Sequence, residues 1–90
     1  MSVITDKIPV TELLAGLAEE ATELAQAALK LRRCCDGTNP TPADPDIQYE
    51  CFLEEIGDVE LYLDQMSINR QVIADYKAAK LERWQKRLEG

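Results

Sequence analysis

Apolar residues recur at steps of three and four through the first third of the chain: Leu13, Leu17, Ala21, Leu24, Ala28 and Leu31. That is the period of an amphipathic helix with one buried face. Residues 1–9 read as a lead-in, and Pro9 with Thr11 marks a helix start. Thr11 is the expected N-cap, and Glu12 suits the positive end of the dipole. The pattern runs to about Arg33 and contains one weak helix former, Gly16. It then breaks at Asp36-Gly37-Thr38-Asn39-Pro40-Thr41-Pro42-Ala43-Asp44-Pro45, where three prolines and no periodicity predict a loop. Asp44 or Asp46 starts the next helix, since proline is tolerated in a first turn. The second stripe, Phe52, Ile56, Val59, Leu63 and Met66, predicts a helix from about Asp46 to Gln65. Ser67 and Asn69 interrupt it. A third helix beginning near Ile68 or Asn69 carries Val72, Ile73, Tyr76, Ala79, Leu81, Trp84 and Leu88 to the C-terminus.

These elements predict an all-α fold of three main helices, with residues 1–90 forming one domain. The core is expected to be thin, because alanine on the first stripe permits close helix approach but buries little area. A second copy of the chain, completing a joint helical bundle, is therefore expected. No apolar run approaches a membrane span, and Asp6 and Lys7 leave no room for a signal-peptide apolar region, so the cytoplasm is the expected compartment.

A net charge of −7 argues against nucleic acid as a partner, since neutralising phosphates requires clustered Lys and Arg. The charge is also uneven. Residues 36–66 contain no Lys or Arg, whereas Lys77, Lys80, Arg83, Lys86 and Arg87 cluster near the C-terminus. The chain has no histidine. Its three cysteines, Cys34, Cys35 and Cys51, fit neither a disulfide framework nor a zinc site and are expected to be buried or half-buried reduced thiols.

The first helix contains Glu19-Glu20-Ala21-Thr22-Glu23 and the second Glu54-Glu55-Ile56-Gly57-Asp58. Residues three apart share a helix face, which pairs Glu20 with Glu23 and Glu55 with Asp58. At about 100° per residue, Glu20 falls at the edge of the first apolar stripe and Glu55 flanks the second. An antiparallel hairpin therefore brings both pairs to its seam. Four carboxylates so placed repel and lose hydration unless a cation lies among them. A hard divalent ion such as Mg²⁺ fits, because it takes oxygen ligands and completes its shell with water and substrate phosphates. The structural alternative is a plain glutamate-rich solvated face, common on acidic helices.

Glu19-Glu20-x-x-Glu23 followed by Glu55-x-x-Asp58 resembles the E-E-x-x-E…E-x-x-D signature of the MazG-like all-α nucleoside triphosphate pyrophosphohydrolases, and the similarity extends over most of the chain. The interval between the halves, residues 24 to 54, is long for that family, with the surplus in the Pro-rich loop. The resemblance implies hydrolysis of a nucleoside triphosphate to monophosphate and pyrophosphate. It implies Mg²⁺, or Mn²⁺ in its place, held by Glu20, Glu23, Glu55 and Asp58. Glu19 matches a further acidic position that binds another Mg²⁺ or orients the attacking water, so the base is Glu19 or a metal-bound water. The resemblance also implies a homodimer or dimer of dimers with the site shared between protomers. Two other readings stand beside it: phosphoribosyl-ATP pyrophosphohydrolase, which shares the carboxylate pattern, and a non-catalytic helical interaction module.

Lys77, Lys80 and Arg83 follow at three-residue steps, a row suited to gripping triphosphate oxygens opposite the metal. The structural alternative is a cationic helix end that complements the dipole and pairs with Glu82 and Glu89. Tyr62, one turn after Asp58, is placed to stack on a base; Phe52 and Trp84 read as core or dimer contacts.

Overall fold

A computed structural model describes residues 7–39 and 43–90. Among the described residues every regular element is a helix: α1 spans Val10–Asp36, α2 Pro45–Gln65 and α3 Arg70–Glu89. None of them is long and apolar enough to cross a membrane. Residues 1–6 of the expected lead-in, and residues 40–42 of the expected loop, lie outside the described residues.

Helix α1 starts one residue before the predicted cap. Pro9, extended at φ −61° and ψ 150°, takes the N-cap position and has no side chain with which to cap. Its carbonyl accepts instead from the Glu12 and Leu13 amides at 3.0 and 3.1 Å, and Thr11 lies inside the first turn. The helix also runs three residues past Arg33. It stops where Gly37 adopts a left-handed φ of 77°, and the amides of Gly37 and Thr38 close back onto the Arg33 carbonyl, a glycine-terminated helix end. Asp44 caps α2 by accepting from the Asp46 amide at 2.9 Å, with Pro45 at the first helical position. Asn69 caps α3 by accepting from the Gln71 and Val72 amides.

Helices α1 and α2 form an antiparallel hairpin in which each step forward along α1 is matched by a step back along α2. Leu13 shares a small recess with Gln65, Gly16 meets Tyr62, Glu23 meets Glu55, and Lys30 shares a groove with Gln48. The positions facing the seam on α1 include Leu13, Leu17, Glu20, Leu24, Ala27, Leu31 and Cys34, and opposite them Gln48, Phe52, Glu55, Val59 and Tyr62 on α2 and Met66 at its end; Gly16, Ile56, Asp58, Leu63 and Gln65 beside them are half-buried too. Alternating steps of four and three make this a heptad-like seam. It differs from the stripe expected on α1, because Ala21 and Ala28 are exposed while Glu20 and Ala27 turn inward. The leucines, not the alanines, set the centre of the buried face, since their larger area dominates the burial free energy.

The hairpin core is as thin as expected: Leu13, at 2% exposure, is the one buried residue among those described. Helix α3 packs on neither α1 nor α2, and every one of its residues is exposed. Arg70 anchors its base, reaching Asp64 at 3.1 Å and Glu60 at 3.9 Å across the turn. The radius of gyration is 16.7 Å, against about 12 Å for a compact chain of this length. The cysteines are free thiols, but only Cys34 is half-buried. Cys35 and Cys51 are exposed, each one residue away from a seam position held by Cys34 or Phe52.

Candidate metal centre

Two of the seam positions are occupied by carboxylates. Glu20 lies between Leu17 and Leu24 on α1, and Glu55 between Phe52 and Val59 on α2, so the hairpin that buries the leucines must also draw these two acids together. Glu23, one turn beyond Glu20 and exposed, joins from the margin. One carboxylate oxygen from each of Glu20, Glu23 and Glu55 lies within 4.8 Å of the other two. The Oε2 atoms of Glu20 and Glu55 are closed off from solvent and have no hydrogen-bond partner.

Electrostatics record the same crowding. Lost hydration, followed by the charges of Glu23 and Asp58, pushes the Glu20 carboxyl from its ordinary 4.5 up to about 7. Glu55 is raised too, first by lost hydration and then by the charges of Glu23, Asp58 and Glu54. Asp58 is half-buried and lies opposite Glu20 in the hairpin register. It is outside the tight group of three, yet close enough to act on both raised acids.

A divalent cation fits this donor set. It answers the mutual repulsion and gives the two orphaned oxygens a partner. All three donors are hard carboxylates without histidine or thiolate, which favours Mg²⁺ or Mn²⁺ over zinc.

The other expected site residues are placed differently. Glu19 is exposed and outside the donor group. The hydroxyl end of the Tyr62 ring occupies the space of the missing side chain of Gly16: a Cβ there would come within 2.5 Å of Tyr62 Cζ and Oη. Tyr62 is therefore a wedge in the helix pair, one turn from the acids, and shares a small apolar recess with Leu13 and Leu61. The Phe52 ring packs near that of Tyr49, centroids 6.5 Å apart. Lys77, Lys80 and Arg83 lie on α3, which meets the hairpin of the same chain only at its base, through Arg70.

One cation near the acids escaped sequence reasoning. Lys30 lines an open groove of about 440 Å³ together with Glu23, Gln26, Gln48, Cys51 and Glu55. Its spacing of seven from Glu23 was the available signal, since in a heptad seam seven residues return to the same side. In comparisons with known proteins, the chain matches no family model, no curated protein and no solved structure.

Proposed function

We propose that this chain is a Mg²⁺-dependent nucleoside triphosphate pyrophosphohydrolase of the MazG-like kind, acting as a homodimer or dimer of dimers. The observation that carries the reading is the pair of unpartnered, water-excluded carboxylate oxygens on Glu20 and Glu55, set within reach of Glu23. An apolar residue at either seam position would stabilise the hairpin more cheaply, so two facing acids there make sense as ligands. Glu20, Glu23 and Glu55 hold the cation, and Asp58 joins directly or through water.

The bound ion supplies neutralisation of triphosphate charge and activation of water. In the reaction, water adds to the α-phosphorus, the bond to the α–β bridging oxygen breaks, and pyrophosphate leaves. Glu19, exposed beside the cluster, is free to take the proton of that water. Lys77, Lys80 and Arg83 reach the phosphates only from a second copy, because their own helix stands away from their own acids.

The test is turnover of a panel of canonical and modified nucleoside triphosphates with Mg²⁺, separating monophosphate from diphosphate products. Glu20→Gln, Glu23→Gln, Glu55→Gln and Asp58→Asn are each expected to abolish monophosphate release while leaving the fold intact. Near-normal activity in any two of the four removes the assignment. The separation of α3 also suits a helical interaction module, and titration with Mn²⁺ divides the two readings, since a module has no need of the ion.

A further inference from the structure

One side of the hairpin presents a continuous sequence of chemistries. Gly16, Glu23 and Lys30 recur at steps of seven along α1, and Cys51, Asp58 and Gln65 do so along α2. Read from one end, the face carries the apolar recess at Leu13, Leu61 and Tyr62. The acids Glu20, Glu23, Glu55 and Asp58 follow. Next comes the groove in which Lys30 stands with the amide side chains of Gln26 and Gln48.

The arrangement is asymmetric in charge and in hydrogen bonding. Beyond the acids on the Tyr62 side, the wall is largely apolar. Beyond them on the other side lie one ammonium and two amides capable of donating. Among the described residues Lys30 enters no ion pair, although Glu23 is two turns away on its own helix and shares the same groove. An exposed lysine ammonium without an ion-pair partner, beside a carboxylate cluster suited to a cation, is a receptor for phosphate oxygens that such a cation would leave unneutralised.

We propose that this groove binds the pyrophosphate end of the nucleotide, with Lys30 gripping the β- and γ-phosphate oxygens, so that the triphosphate runs along the hairpin from the acids toward Gln48. The inference rests on the metal-dependent hydrolase reading and adds an orientation to it: the leaving group points toward the loop between α1 and α2, and the nucleoside toward Tyr62. Lys30 is thus a binding residue of the same chain, independent of any lysine on α3.

Cys51 supplies a reporter that is not activity, because its exposed thiol lines this groove, whereas the exposed Cys35 does not. Alkylation of each cysteine by iodoacetamide, read by peptide mass, is compared for the protein with Mn²⁺ alone, with Mn²⁺ and inorganic pyrophosphate, and with Mn²⁺ and a nucleoside monophosphate. Mn²⁺ occupancy is measured separately by its paramagnetic resonance. Pyrophosphate is expected to slow alkylation of Cys51 and leave Cys35 unchanged, while the monophosphate protects poorly. In Lys30→Ala, Mn²⁺ still binds but pyrophosphate affinity falls by about 10-fold, the loss expected for one charge-assisted contact; Lys30→Arg recovers most of it. If Mn²⁺ binds and pyrophosphate leaves Cys51 unprotected, or if Lys30→Ala protects as well as the unaltered chain, the groove assignment is overturned and the metal site stands. Stronger protection by the monophosphate reverses the orientation and overturns it equally. Failure of Mn²⁺ to bind removes the hydrolase reading itself, and the groove assignment with it.

Discussion

Glu20 lies where a seam favours leucine, and its cost depends on pH. Its folded-state carboxyl titrates at about 7 against an ordinary 4.5, so the folded chain holds that proton more tightly than the unfolded one. The corresponding stabilisation is fully present below about pH 4.5 and is lost as pH rises through about 7. Glu55 shifts in the same direction. In the absence of metal, the melting temperature is therefore expected to fall between pH 5 and pH 8. Glu20→Gln, which mimics the protonated acid, should flatten that fall and melt higher than the unaltered chain at pH 8. Added Mg²⁺ should restore the unaltered chain at pH 8 and do little for Glu20→Gln. Identical pH profiles for the two proteins in a chelator would show that Glu20 is not crowded in solution. Tyr62 shows the same dependence on neighbours from the steric side, because its ring occupies the space that Gly16 leaves by having no side chain. A glycine in mid-helix, unfavourable for helix formation, is here what allows the hairpin to close around an aromatic ring one turn from the acids.

At the scale of elements, the basic row on α3 offers two opposed outcomes. Lys86 is tied to Glu82 at 3.2 Å within its own helix, while Lys77 and Lys80 enter no ion pair among the described residues and flank Trp84 on a shallow groove. If Lys77 and Lys80 hold phosphates in a partner's site, Lys77→Ala and Lys80→Ala weaken nucleotide binding and turnover, with metal binding and melting unchanged. If they only complement the helix end, they cost up to about 1 kcal/mol of stability and leave kinetics alone. Lys86→Ala is the internal control, and Michaelis parameters with melting curves for the three variants decide between the two roles. Helix positions were legible in the sequence because leucine spacing, Asp44, Pro45, Asn69 and Gly37 act locally. The N-cap was missed because Pro9 caps through its carbonyl alone, with no side-chain signal. The place of Glu20 at the seam was legible from its position at the stripe's edge, but the exposure of Ala21 and Ala28 was not: a stripe drawn through them treats alanine and leucine as equals, and tertiary burial does not. The convergence of Glu20, Glu23 and Glu55 followed from three-residue spacing, but the place of Lys30 required the register of the two helices.

The molecule as a whole exposes large apolar side chains that the proposed second copy would cover. Tyr76 is 71% exposed, Trp84 54% and Leu88 79%, all on a helix with nothing against it, and Leu14, Leu29, Ile47 and Leu53 are exposed on the hairpin. Charge says where α3 would settle. Helix α2 carries Asp46, Glu50, Glu54, Glu55, Asp58, Glu60 and Asp64 with no basic residue, while α3 has an excess of Lys and Arg. Within one chain the two meet only through Arg70 at the turn. Docking α3 on the hairpin of a second copy would cover this apolar surface, which drives association, and pair these charges, which fixes its register. The melting temperature is then expected to rise with protein concentration, as mass action requires for a folded state stabilised by association. Trp84→Glu separates this from an idle helix. On a solvated arm the substitution replaces an exposed ring with a good helix former and changes little. At an interface it buries an unpaired charge, so the protein should become monomeric, melt lower at every concentration and lose turnover even though its own carboxylates are untouched. Sedimentation and melting of both proteins across a hundredfold range of concentration, about 1 to 100 µM so as to bracket a micromolar dissociation constant, make the comparison. A well-folded, active monomer throughout that range would mean that the acids and the basic row never need a partner to meet.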